Sequence, residues 1–171
     1  METAVPHIVS PSLWEESLRL VAALVLAGLI GIEREARAKN AGLKTHMLVG
    51  VGSCLFTLLM IILIARYQSD MVRADPVRIV SAVTSGVAFL AAGLIIHGKG
   101  RVLGLTTGAS LWMAGAIGLA CGLGEFGLAA VAVVATLTIL GLVKLVQVWL
   151  FPNRHAAKER RTRRSYRSRA R

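Results

Sequence analysis

The residues with the greatest chemical reach in this chain fall in two short, similar stretches. Glu33 and Arg34 close one apolar run, and Lys44, Thr45 and His46 open the next. Further along, Lys99 and Arg101 precede Thr106 and Thr107, which open another. Both openings read Gly-Leu-x-Thr, at residues 42–45 and 104–107. A threonine at a helix start offers its side-chain oxygen to unpaired backbone N–H groups, so Thr45 and Thr107 are expected as N-caps. A helix N-terminus carries partial positive charge and attracts anions. Two such ends beside Arg34, Lys44, Lys99 and Arg101 predict either a basic, anion-binding vestibule or simply two capped helices in a basic interface. His46 titrates near neutrality and can tune such a site with pH, or it is merely solvated. The Glu33–Arg34 pair reads as a stop signal at a membrane edge or as a buried ion pair fixing one helix against two others.

A second cluster opens a different run. Asp75 suits an N-cap and Pro76 the first helical position. Arg78 lies three residues after Asp75, so the two can pair. Ser81, Thr84 and Ser85 continue polar positions down the helix. They either line a narrow wet path or hydrogen-bond neighbouring helices.

The elements that hold these residues are legible as five apolar runs, at roughly 13–32, 46–65, 77–96, 103–122 and 126–150. A helix rising 1.5 Å per residue needs roughly 20 apolar residues to cross about 30 Å of hydrocarbon. Four runs reach that length, and the first needs its flanks. The chain of 171 residues is 55% hydrophobic, and little remains for a separate soluble domain. The expected fold class is all-α, a polytopic bundle of five transmembrane helices. Its parts are an external segment at 1–12, a membrane domain at 13–152 and a basic tail at 153–171. The N-terminus carries Glu2, Glu15 and Glu16 with no basic residue before Arg19, unlike a cleaved signal peptide.

Charge sets the orientation. Fifteen basic residues fall on the first connection, the third connection and the tail, whereas the opposite side carries Arg19, Arg66, Arg73 and Arg78. The positive-inside rule then places the N-terminus outside and the C-terminus in the cytoplasm. Trp14 and Trp149 fall near opposite interfaces, and Lys144 can extend its ammonium to the inner headgroups. The tail is expected to be disordered and to bind anionic lipids rather than nucleic acid, since Tyr166 is its one aromatic.

Lipid gives helices no hydrophobic reason to associate, so small residues that permit close approach matter. Gly28 and Gly31 in the first run, Gly86 and Gly93 in the third, and Gly104, Gly108, Gly118 and Gly122 in the fourth are the expected packing positions. The fifth run is almost uniformly aliphatic and reads as peripheral. Cys54 and Cys121 read as small apolar residues. No cofactor, metal set or nucleophile–base pair is visible, so an enzyme is the weakest reading.

Three stretches carry a family resemblance. They are Gly-Leu-Ile-Gly-Ile-Glu-Arg-Glu at 28–35 with Ala-Gly-Leu-Lys-Thr-His-Met-Leu-Val at 41–49, Asp-Pro-Val-Arg-Ile at 75–79, and Gly-Leu-Thr-Thr-Gly-Ala-Ser-Leu-Trp at 104–112 followed by Ala-Ile-Gly-Leu-Ala-Cys-Gly at 116–122. In order and spacing, from about Leu18 to Leu150, this resembles the MgtC/SapB family of bacterial inner-membrane proteins. The resemblance implies a role in adaptation to low magnesium and to stress inside host cells. It also implies a membrane-protein partner, the proton-coupled ATP synthase being the one suggested for the best-known relative. Two departures matter. Ala82, Ala88 and Ala91 stand where members usually carry a glutamine and extra glycines, and a basic tail stands in place of a regulatory domain similar to the ACT fold. The leading expectation is a non-enzymatic membrane regulator that docks helices against a partner and can self-associate. The alternative is a transporter or channel for an ion or small anion.

Overall fold

In the computed structural model, which describes residues 11–67, 75–98 and 101–150, the chain forms five helices: α1 (Leu13–Ala36), α2 (Leu43–Tyr67), α3 (Pro76–Gly93), α4 (Leu105–Leu123) and α5 (Phe126–Leu150). All five follow the apolar runs. Two compact units divide the chain, one at 1–136 and one at 137–171, and the second begins inside α5. The basic tail, Lys99, Arg73 and residues 1–10 lie outside the described residues.

Local chemistry sets the helix ends. Ser12 caps α1 in a reciprocal box with Glu15, which satisfies two backbone donors at once. Asp75 caps α3 by accepting from the Val77 N–H at 3.0 Å, with Pro76 at the first position. Gly124 ends α4 in the left-handed conformation, φ 84°, where an absent Cβ removes the steric penalty. The N-caps differ from those expected. α2 begins at Leu43, whose N–H donates to the Glu35 carboxylate at 2.8 Å, so a residue at the end of α1 does the work assigned to Thr45. α4 is preceded by Gly104 at φ 88°, and Thr107 sits inside its first turn.

The third run also ends earlier than its hydropathy suggests. α3 stops at Gly93, and Ile96–Gly98 then pairs antiparallel with Arg101–Leu103 as a two-stranded ribbon, β1 and β2. β-branched Ile96 and Val102 suit extended backbone, and apolar content alone does not separate a strand from a helix end.

Packing follows the logic of a bilayer. The interior combines large apolar side chains, Ile30, Leu111 and Ile117, with small or polar ones, Ala23, Ala27, Ala114, Cys54, Cys121, Ser53, Thr57 and Ser110, all buried. The periphery is large and apolar, with Phe89 79% exposed and Val131 67%. A periphery of large apolar side chains is one that lipid accommodates. By length and composition α2 and α4 can each cross a membrane, and α3 and α5 add shorter apolar stretches, Val80–Gly93 and Phe126–Leu142. Both cysteines are free thiols.

α4 is the central element. A Cβ built on Gly118 would lie 2.1 Å from the Gly50 carbonyl oxygen of α2, and one on Gly122 would lie 2.5 Å from Thr57 Cβ. On the α3 side, one on Gly108 would meet the Ala91 carbonyl oxygen at 3.0 Å. Gly28 and Gly31 bring α1 against α2 in the same way, with Gly31 meeting Leu43 Cα at 2.7 Å. Gly86 and Gly93 behave otherwise. A Cβ on either would meet nothing within 4 Å, so the close packing expected there is absent. α5 has an inward face of Ala129, Val133 and Thr136, each buried, in place of a uniformly peripheral surface.

Candidate functional site

Both expected clusters can be placed. At the end of the bundle where α1 finishes and α2 and α4 begin, four residues join into one buried polar chain. Arg34 ends α1 and is 3% exposed. Its Nη2 donates to Thr107 Oγ1 at 3.2 Å, in the first turn of α4. Ser110, one turn further on, lies 2.9 Å from the Thr107 carbonyl oxygen and 3.1 Å from His46 Nε2. His46 Nδ1–H donates to the Gly42 carbonyl at 2.8 Å. With a neutral ring, the Ser110 hydroxyl donates to Nε2. With a charged ring, Nε2–H donates to Ser110 and the hydroxyl turns to the Thr107 carbonyl. His46 and Ser110 keep their partners in either state, as buried polar groups require.

Glu33 is the counter-ion of this chain. Its carboxylate lies 3.6 Å from Arg34 Nη1 and pairs with Arg37 Nε on the next turn. Neither carboxylate oxygen takes an aligned hydrogen bond, and Arg34 Nε has no partner. To the two sequence readings of Glu33–Arg34, a stop signal or a buried pair, the geometry adds a third group: one carboxylate serves two guanidiniums.

The remaining predicted residues of this end separate. Lys44 is exposed and Thr45 half-buried on the first turn of α2, and Thr106 is exposed beside Thr107. Arg101 is the first residue of β2, and Val102, Leu103 and Gly104 separate it from α4. The outer cluster is a surface feature. Arg78 Nε sits 3.5 Å from Asp75 Oδ2 with both side chains at least half exposed, and Ser81 and Ser85 are exposed. Such an exposed pair adds little stability.

One positioning residue escaped the sequence reading. Arg19 of α1 donates from Nη1 to the Gly122 carbonyl at 2.8 Å and packs beside Gly124, at the far end of α4. A cation there meets the negative end of the helix dipole. The signal was present in the spacing: Arg19 and Arg34 are fifteen residues apart, as are Thr107 and Gly122. Two antiparallel helices in register bring both pairs together.

A groove of about 550 Å³ separates α2 from α3. Leu48, Gly52 and Phe56 line one wall, and Ala82, Gly86 and Leu90 the other. A Cβ on Gly52, like one on Gly86, would meet nothing within 4 Å.

Comparison with known proteins places this architecture. The model of the MgtC family matches residues 20–149. Protein MgtC of Brucella abortus is 40% identical over 135 residues, covering 77% of this chain and 53% of the relative. A protein of Escherichia coli named "Putative magnesium transporter YhiD" is 42% identical over 129 residues, covering 72% and 58%. An uncharacterized protein of Haemophilus influenzae is 38% identical over 146 residues, covering 84% and 60%. The chain therefore spans little more than half the length of these relatives. No solved structure matches. The matched segment takes in most of α1, all of α2 to α4 and nearly all of α5, with Arg34, His46, Thr107 and the packing glycines, and on that match the chain belongs to the MgtC family.

Proposed function

We propose that this protein is a non-enzymatic, multi-pass regulator of the bacterial inner membrane that serves adaptation to magnesium limitation by docking a partner's transmembrane helix. The observation that carries the reading is the unpartnered side of α3. Val87 and Ala91 are its buried hydrophobic side chains among the described residues, while Phe89 stands 79% exposed. Beside it, Gly52 and Gly86 leave open backbone in the groove. In lipid, open backbone of this kind lets a foreign helix approach closely. The MgtC resemblance nominates the membrane sector of the ATP synthase as the partner. Five crossings, an outside N-terminus and a cytoplasmic tail on anionic lipid complete the proposal, from the charge bias of the sequence.

Direct magnesium transport fits the residues less well. Mg²⁺ sheds water reluctantly and is usually bound through carboxylates, and α2 and α4 contain no Asp or Glu. Movement of another ion or small anion is the second reading, favoured by the buried Arg34–Thr107–Ser110–His46 chain.

The test fills the groove without touching the core. Gly86→Leu and Gly52→Leu should keep the fold, yet lose both partner recovery after crosslinking and growth at low magnesium. Unchanged recovery and growth would reject docking. Proteoliposome flux that disappears in Arg34→Ala would select the second reading. For the tail, a chain ending at Pro152 should bind anionic vesicles less than the full chain.

A further inference from the structure

The groove between α2 and α3 has a cation at one end. Its α2 wall is Leu48, Gly52 and Phe56, each four residues from the next. Lys44 stands one interval earlier, in the first turn of α2, and is exposed. Residues four apart on a helix share a face, so Lys44 heads the row that lines the groove. No acidic group of the walls opposes it, because α2 and α3 contain no Asp or Glu. Lys44 has no ion pair among the described residues. Glu35, the nearest carboxylate in sequence, is taken by the Leu43 N–H.

The dimensions match one leaflet of a bilayer. From Leu48 to Phe56 the wall rises about 12 Å, and Lys44 lies about 6 Å further along the axis. Half of a hydrocarbon core about 30 Å thick is about 15 Å. The wall therefore runs most of one leaflet's depth, and Lys44 reaches the level of its phosphates. The space of about 550 Å³ is of ligand size. Leu48, Phe56 and Leu90 are all exposed on its rim, so it opens sideways to the bilayer.

We propose that this groove holds one acyl chain of an anionic phospholipid, with Lys44 on the lipid phosphate. The apolar walls take the chain, and the lysine stem lets the ammonium extend to the headgroup. A bound lipid fills the space that a partner helix would enter. As a control on docking the site rests on the reading given above, whereas the lipid site itself does not.

The test uses the full chain in nanodiscs of equal phosphatidylglycerol and phosphatidylcholine, with retained lipid counted by native mass spectrometry. The parent should keep one lipid, with phosphatidylglycerol preferred. Lys44→Gln should lower that preference about fivefold, the share of one basic residue near a membrane surface, and Lys44→Arg should restore it. Gly52→Leu with Gly86→Leu fills the groove and should lose the retained lipid of both kinds. A Cβ at either glycine meets nothing within 4 Å, so the thermal midpoint of this variant should stay at the parent's value. The basic tail is the same in every variant and cancels from the comparison. No retained lipid in the parent, an unchanged preference in Lys44→Gln or unchanged retention in the filled groove would overturn the assignment. So would a dimer crosslinked through the groove in these nanodiscs, which would make a second copy the occupant. Partner recovery in the filled variant keeps the two readings apart. Lipid lost with recovery unchanged refutes docking and leaves the lipid site standing, and lipid retained with recovery lost does the reverse.

Discussion

The sharpest quantitative consequence of this structure concerns Gly118. A methyl group there would stand 2.1 Å from the Gly50 carbonyl oxygen and 2.9 Å from Ser53 Cβ. The first obstacle is backbone, so no rotamer change relieves it. α2 must move from α4 by more than an ångström to restore ordinary contact. That displacement propagates, because Gly50 is itself wedged against Ala27, where its own Cβ would lie 2.5 Å from that side chain. Overpacking of this kind costs about 1–3 kcal/mol. In a chain of this size each kcal/mol corresponds to roughly 2–4 °C in the midpoint. Gly118→Ala should therefore unfold several degrees earlier than the parent in mild detergent. The control is built into the same helix pair. Gly52→Ala meets nothing within 4 Å and exchanges a poor helix former for the best one, a gain of up to about 1 kcal/mol. Parallel thermal scans of the two variants check the argument. Gly118→Ala matching the parent, or both variants losing stability equally, would refute the packing described for α2 and α4.

Three further outcomes follow from other contacts. Gly104→Ala should destabilise the chain by about 1–2 kcal/mol or more, since φ is 88° and the new Cβ would collide with the Leu94 carbonyl; a denaturant titration reads this directly. Arg19→Met should keep the aliphatic stem but lose the bond to the Gly122 carbonyl, lowering stability by about 1.5–3 kcal/mol, whereas Arg19→Lys should recover part of it. Glu35→Ala should release the Leu43 amide at a cost of about 0.5–2 kcal/mol, visible as faster hydrogen exchange at the start of α2.

The two ends of α4 show how far sequence reading reached. Arg34 and Thr107 were each legible as polar residues at the edge of an apolar run, where charge and hydroxyl collect. Their direct contact was not, since it depends on how far α1 slides along α4. Arg19 read only as a charge near a helix edge, and the fifteen-residue spacing from Arg34 that matches Thr107 to Gly122 gains meaning once α1 and α4 are known to lie antiparallel. The ribbon at Ile96–Gly98 and Arg101–Leu103 was hidden for a different reason. Its residues are apolar enough to pass as helix, and only pairing across the turn makes them strands.

What the chain's order of residues settled alone was the set of helices and their apolar character. Long apolar blocks, bounded by charge and by Pro76, leave the backbone few other ways to satisfy its polar groups in hydrocarbon. What tertiary structure decided was which small residues matter. Gly118 and Gly86 are equivalent in sequence terms, each a glycine within an apolar run. One lies against backbone and the other faces open space. Spacing along a single helix fixes a face, but only the neighbour's position decides whether that face is filled.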